Sequence, residues 1–289
     1  MELPQEVVRT NIAELEQRIH AIDAEFIEMS APGTDSLDEA NRLLEMLRGD
    51  KLLPEAADRN RLTLKPSHET FAYSGKIVLS PNPMRWLFIG DSITHGAMHT
   101  YGYDSLPQLW EKYIRENGGR KDDTVLNTGV SGATVGEYLA RLDARYTPYA
   151  DADVVVAMFG TNDCCFPDHI SVGQFKEQMR SIVDMARSHG SQVVLRTPQP
   201  QKEEAVIRAR ALVPFAQAVR EIALEKNTIL VDHFHSFSIL KQDYPEHFLA
   251  LMSDAVHPNA QGQYRMFREL AYATDLVFAD SMATMDYAF

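Results

Sequence analysis

The chain has 289 residues, 45% of them hydrophobic and 24% charged, enough for one sizeable α/β domain with an appendage or for two small domains. A net charge of −13 argues against nucleic acid and anionic membrane surfaces as partners, because phosphate groups are held by clustered Lys and Arg. The two cysteines, Cys164 and Cys165, are adjacent, so they cannot staple distant parts of the chain, and this fits a reducing compartment.

The acidic N-terminus lacks a basic stretch followed by an apolar run, and no segment is apolar for long enough to span a bilayer. A cytoplasmic protein is the expectation. Val8, Ile12, Leu15, Ile19, Ile22, Phe26 and Met29 recur in alternating steps of four and three, a heptad seam on one long helix. Ser30-Ala31-Pro32-Gly33 ends it, and Ser36 with Glu39 forms a capping box for a second helix carrying Leu37, Ala40, Leu43, Leu44 and Leu47. Residues 1–70 are thus expected to form a helical hairpin, either packed on its own domain or joining a second copy. The regularity of the seam favours a homo-oligomer. Residues 71–83, closed by Ser80-Pro81-Asn82-Pro83, read as a connector.

From 84 to 280 apolar runs alternate with amphipathic stretches, and 281–289 reads as a tail. Strands are expected at Trp86–Ile89, Thr124–Leu126, Val154–Phe159, Gln192–Leu195 and Thr228–Val231. Helices are expected at Leu106–Glu116, Val135–Arg145, Val172–Ser188, Glu203–Glu225 and Ala260–Phe278. Strands separated by helices of this length imply right-handed βαβ units and a central parallel sheet covered on both faces, an α/β fold of three layers.

Polar clusters sit at the strand ends. Gly90-Asp91-Ser92 follows the first strand, Asn127 to Thr134 the second and Gly160-Thr161-Asn162-Asp163 the third, while Ser253 to Asn259 precedes the last helix. Loops after successive parallel strands emerge along one edge, so these clusters can converge. A serine hydroxyl needs a base to accept its proton as it attacks, and His257 suits that task. Asp254, three residues earlier and kept out of a helix interior by Pro258, can hold the imidazole tautomer. The amides of Ser92 and Gly132 and the side chain of Asn162 are candidate oxyanion donors. Glycine at 132 is read as leaving room for the backbone to approach substrate. Each element also has a structural reading: a helix cap for Ser92, a loop hydrogen bond for Asp254 and His257, an Asx-turn for Asn162, plain turns for Gly129 and Gly132. Four such clusters in order favour the chemical reading.

The ordered set resembles the SGNH (GDSL-type) hydrolase family of esterases and lipases. Gly90-Asp91-Ser92 is similar to its first block, Asn127 to Gly132 to its second, Gly160 to Asp163 to its third and Asp254 to His257 to its last. The resemblance covers roughly 84 to 278. It implies a three-layer flavodoxin-like domain and ester hydrolysis through an acyl-serine, with no cofactor and no metal. Ser92 would be nucleophile, His257 base, Asp254 its partner, and Ser92, Gly132 and Asn162 the oxyanion hole. Asp91, His95, Cys164 and Cys165 are candidates for lining the pocket. His99 has the same two readings as His95, pocket wall or exposed loop. The cysteines read as small hydrophobes filling space, with a redox pair as the sharper alternative.

His233 and His235 share a face if their segment is extended, with Asp232 pointing away, and a structural role is favoured over a metal site. The expected activity is a serine esterase removing a short acyl group, acetyl above all, from a sugar-like or small alcohol. The alternatives are an acyltransferase or a thioesterase/lysophospholipase using the same site, and a non-catalytic binding or assembly protein on the same fold.

Overall fold

Parallel strands covered on both faces must be apolar on both sides of the pleat, and the strands here are. The computed structural model describes residues 76–96, 98–165 and 170–278. The expected hairpin at 1–70, residues 71–75 of the connector and the tail at 281–289 lie outside them. Five strands, β1 (Arg85–Gly90), β2 (Thr124–Asn127), β3 (Val154–Met158), β4 (Gln192–Arg196) and β5 (Ile229–Val231), form one sheet in the order β2-β1-β3-β4-β5. Every neighbouring pair is parallel, with Leu87 level with Leu126 on one side and Val155 on the other. This is the flavodoxin-like order, and it places a topological switch point between β1 and β3.

After β1 come α1 (Ser92–His95) and α2 (Leu106–Glu116), and after β2 come α3 (Val135–Leu139) and α4 (Leu142–Arg145). Helix α5 (Val172–Ser188) follows β3 and α6 (Val206–Glu225) follows β4. The last strand leads into α7 (His233–Asp243), α8 (Pro245–Ala250) and α9 (Ala260–Ala273). Reciprocal capping boxes start three helices: Ser105 with Gln108 on α2, Thr134 with Glu137 on α3 and Ser171 with Gln174 on α5.

Alternation along the strands feeds two cores. Leu87, Ile89, Val155, Ala157 and Leu195 pack beneath α5 and α6. Trp86, Phe88, Val154, Val156 and Met158 pack beneath α2, α7 and α9. The three layers follow from that alternation. Among the described residues no helix is long and apolar enough to cross a membrane.

The structure corrects the sequence reading in three places. The helix expected at Val135–Arg145 is two short ones, broken where Arg141 leaves helical geometry (φ −127, ψ 31). The last helix stops at Ala273, and the chain beyond it is held by Tyr113, whose hydroxyl donates to the Leu276 carbonyl. Residues from His233 are helical rather than extended: Asp232 caps α7 by accepting from the His235 amide, so these histidines do not share a strand face. The acidic partner of His233 is Glu269 of α9, whose Oε2 lies 2.5 Å from Nδ1. The structural role expected for His233 fits its complete burial.

Candidate active site

The turn after β1 has no room for a side chain at position 90. A Cβ there would lie 2.4 Å from Thr94 Oγ1 and 2.5 Å from the Met158 carbonyl, so only glycine lets α1 fold back against the sheet edge. Asp91 then caps this four-residue helix, accepting from the Ile93 amide at 2.9 Å. So short a helix leaves its carbonyls without helical partners, and neighbouring side chains supply them. Asn127 Nδ2 donates to the carbonyls of Thr94 (3.0 Å) and His95 (3.3 Å). Gln263, buried on α9, donates to the Ile93 carbonyl at 2.9 Å and accepts from the Leu106 amide at 3.1 Å. Ser92, on the first turn, is 6% exposed.

The opposite wall is the loop between α8 and α9. A bridge between Met252 and Pro258 closes it, and the Asn259 amide donates to the Leu251 carbonyl. Within it Asp254 Oδ1 accepts from the amides of Val256 and His257, both at 2.7 Å. The loop hydrogen bond and the chemical pairing both exist. Asp254 Oδ2 lies 2.9 Å from His257 Nδ1, and His257 Nε2 lies 2.9 Å from Ser92 Oγ. The structure thus brings Ser92, His257 and Asp254 into one line across the switch point. Partial burial alone would raise the Asp254 pKa, but the two amides and the imidazole outweigh it and bring the carboxyl below its ordinary value.

The donor candidates differ in how they are held. Gly132 is exposed with φ +80 and has no atom near a would-be Cβ, so its positive φ rather than crowding within the protein calls for glycine. The Asn162 side chain donates from Nδ2 to the Ala133 carbonyl at 3.1 Å, which ties the third block to the second. A primary amide has two N–H groups, so this bond takes half its donor capacity. Behind it the buried Asp163 accepts from the amides of Val135 and Gly160 at 2.8 and 2.9 Å. Burial pushes its carboxyl up to about 7 despite those bonds.

The remaining candidates separate by burial. Asp91 is wholly buried as a cap, with its pKa raised by that burial. Cys164 and Cys165 belong to the apolar cluster beneath α5 and α6, their sulfurs 3.3 Å apart, as expected of space-filling residues. His95 is exposed and pairs through Nδ1 with Ser131 Oγ at 3.1 Å.

Sequence reasoning missed one residue here, Gln263, and the contact that another, His99, makes. Gln263 was legible in principle, as a polar residue in register with Met266, Phe267 and Leu270 on an apolar stripe. His99, read as pocket wall or exposed loop, instead lays its ring flat on that of His257, with centroids 3.6 Å apart and planes 4° from parallel. Among the described residues, His99, Asp254 and His257 alone gather three metal-ligating atoms within 4.8 Å of one another. Imidazole lone pairs lie in the ring plane, so two stacked rings direct theirs side by side and do not converge on one ion.

The comparisons with known proteins agree with this fold. An acetylxylan esterase from Geobacillus stearothermophilus, Axe2, superposes with a TM-score of 0.58 at 25% identity over 68% of this chain and 97% of that one. The lipase/acylhydrolase from Enterococcus faecalis shares the fold, with a TM-score of 0.54 at 24% identity over 65% of this chain and 93% of its own. An uncharacterized protein of Mycoplasma pneumoniae is 37% identical over 109 residues, which make up 37% of this chain and 12% of that protein's length. The GDSL-like Lipase/Acylhydrolase family profile matches residues 88–265, from within β1 to within α9, and the chain belongs to that family.

Proposed function

We propose that this chain is a serine esterase that hydrolyses short acyl esters, acetyl above all, of a sugar-like or small alcohol. The observation that carries the reading is the line from Ser92 Oγ through both nitrogens of His257 to Asp254, with 2.9 Å at each step. It has the reach and order that general-base activation of a serine requires.

In the first half-reaction Ser92 Oγ attacks the ester carbonyl and His257 Nε2 takes its proton. Asp254 holds the Nδ1–H tautomer and steadies the imidazolium. Negative charge gathers on the former carbonyl oxygen, where the Ser92 and Gly132 amides and Asn162 Nδ2 donate to it. His257 passes the proton to the departing alkoxide, leaving an acyl-serine. Water then gives its proton to His257 and attacks the same carbon, and the carboxylic acid leaves as the serine is re-protonated.

The acetyl preference and the sugar-like alcohol are supported by similarity to an acetylxylan esterase. In that enzyme, variants replacing a serine, an aspartate or a histidine three positions after the aspartate are catalytic mutants. The spacing is that of Asp254 and His257. Hydrolysis of p-nitrophenyl acetate tests the reading: Ser92→Ala lowers kcat by about 10⁴-fold or more with the thermal transition unchanged. Wild-type turnover in that variant would refute it.

A further inference from the structure

Two hydrogen bonds at opposite ends of an imidazole oppose its rotation about the Cβ–Cγ bond but leave both faces of the ring uncovered. They also fail at a predictable moment. Once Ser92 is acylated it no longer offers Oγ–H, and His257 is then tethered by Asp254 alone while it must activate water. A contact on the face of the ring would hold it in that interval, and among the described residues His99 makes one.

His99 covers one face of His257 at 3.6 Å between centroids and 4° between planes. Its Nδ1 faces the same loop, 3.4 Å from Asp254 Oδ2 and 3.4 Å from Ser253 Oγ, so the plate is anchored to the element that carries its partner. The segment presenting it is strained. Met98 and Tyr101, on either side, hold φ of +68 and +53, the left-handed region that side-chain-bearing residues avoid. Thr100 is buried and donates to the Gly96 carbonyl at 3.3 Å. Unfavourable backbone of this kind clusters at functional sites, and here it flanks the residue whose ring is stacked on His257.

We propose that His99 is a positioning residue for this hydrolysis, the plate that stops the His257 ring from turning about its Cβ–Cγ bond and keeps its nitrogens aimed at Ser92 or water on one side and Asp254 on the other. Burial and the neighbouring His257 lower the His99 pKa against the pull of Asp254. A plate that stays neutral does not repel the imidazolium formed during turnover. The proposal rests on the esterase reading above, and its test separates the two.

The full-length protein is assayed with p-nitrophenyl acetate and, independently, for the rate at which a fluorophosphonate labels Ser92. In that labelling Oγ displaces fluoride at phosphorus and His257 takes the proton, with no need of an acyl or alcohol pocket. His99→Ala is expected to lower kcat about tenfold or more without raising KM, and to slow labelling as well. His99→Phe, which restores a flat ring, recovers part of both losses. Should His99→Ala fail to fold, His99→Gln, polar but without a ring, takes its place. Wild-type kcat and labelling in the ring-less variant overturn the proposal, as does a raised KM with labelling unchanged, which marks a pocket wall. A Phe variant no better than the ring-less one overturns it too. Ser92→Ala with full hydrolysis removes the esterase reading itself; loss of hydrolysis there with wild-type His99 variants removes the present proposal alone.

Discussion

Arg196 donates its Nε–H to His233 Nε2 over 3.0 Å, and both side chains are wholly buried. Since His233 Nδ1 faces Glu269 Oε2, one imidazole links a buried guanidinium to a buried carboxylate across the layer between sheet and α9. Burial lowers the arginine pKa to about 10 in spite of Asp91 and Glu269 nearby. Burial likewise lowers that of His233, which suits a ring accepting from Arg196 and donating to Glu269.

Removing one end of such a chain strands the other charge in a medium that cannot solvate it. Glu269→Ala is therefore expected to cost about 3–5 kcal/mol of stability, read as a drop in the urea midpoint. Arg196→Met in the same background restores part of that loss, because it removes the stranded charge. No recovery in the double variant would contradict the account.

Asp163 predicts a pH dependence whose sign can be worked out. Its pKa rises from 3.8 in the unfolded chain to about 7 in the fold, so between those values the folded state holds a proton that the unfolded state has released. The stabilisation is present in full below about pH 4 and is lost as pH climbs through 7. Asp163→Asn abolishes this titration, so its thermal midpoint falls less between pH 4.5 and 7.5 than that of the wild type. Parallel slopes would rule the assignment out.

Asp254→Asn keeps an acceptor for the amides of Val256 and His257 but no longer carries the charge that holds the imidazole tautomer. The expected loss is about 10⁴-fold in kcat, with little change in stability. Steady-state kinetics beside a thermal melt distinguishes this from a loop that has come apart.

For the proposed oxyanion donors the expected losses are smaller. Asn162→Ala should reduce kcat by about 10²–10³-fold. Gly132→Ala is expected to act through its backbone, since φ +80 is open to glycine and strained for alanine, with empty space around it. A Gly132→Ala enzyme with wild-type kcat would exclude that amide from the oxyanion hole.

The heptad seam predicts self-association through the N-terminal segment. Charged residues in place of Leu15 and Ile22 should lower the mass of the full-length protein in light scattering, and an unchanged mass would dismiss it.

How much of this was legible in the chain follows from which forces are local. The five strands were readable because a parallel sheet buried on both faces writes itself as runs such as Val154 to Met158. The boundaries of α2 and α5 were readable because Ser105 and Ser171 carry their capping partners three residues on. Helix α7 is marked by its Asp232 cap and by Phe234, Phe237 and Leu240 at helical spacing, but the two-residue spacing of His233 and His235 carries a competing strand signal. Ser92, Asp254 and His257 could be nominated because each lies beside a strand end or a helix start. The ring stack could not, since nothing local to His99 or His257 encodes the meeting of two loops 158 residues apart in sequence.

The distance along the chain between Ser92 and His257 also has a temporal consequence. The separation is 165 residues, and all five strands intervene or precede before the histidine can meet the serine. A nascent or refolding polypeptide that has completed four strands holds a hydroxyl with no base beside it. Regain of esterase turnover after dilution from denaturant should accordingly lag any signal from the early core, such as Trp86 and Trp110 fluorescence, and report the closing event of assembly.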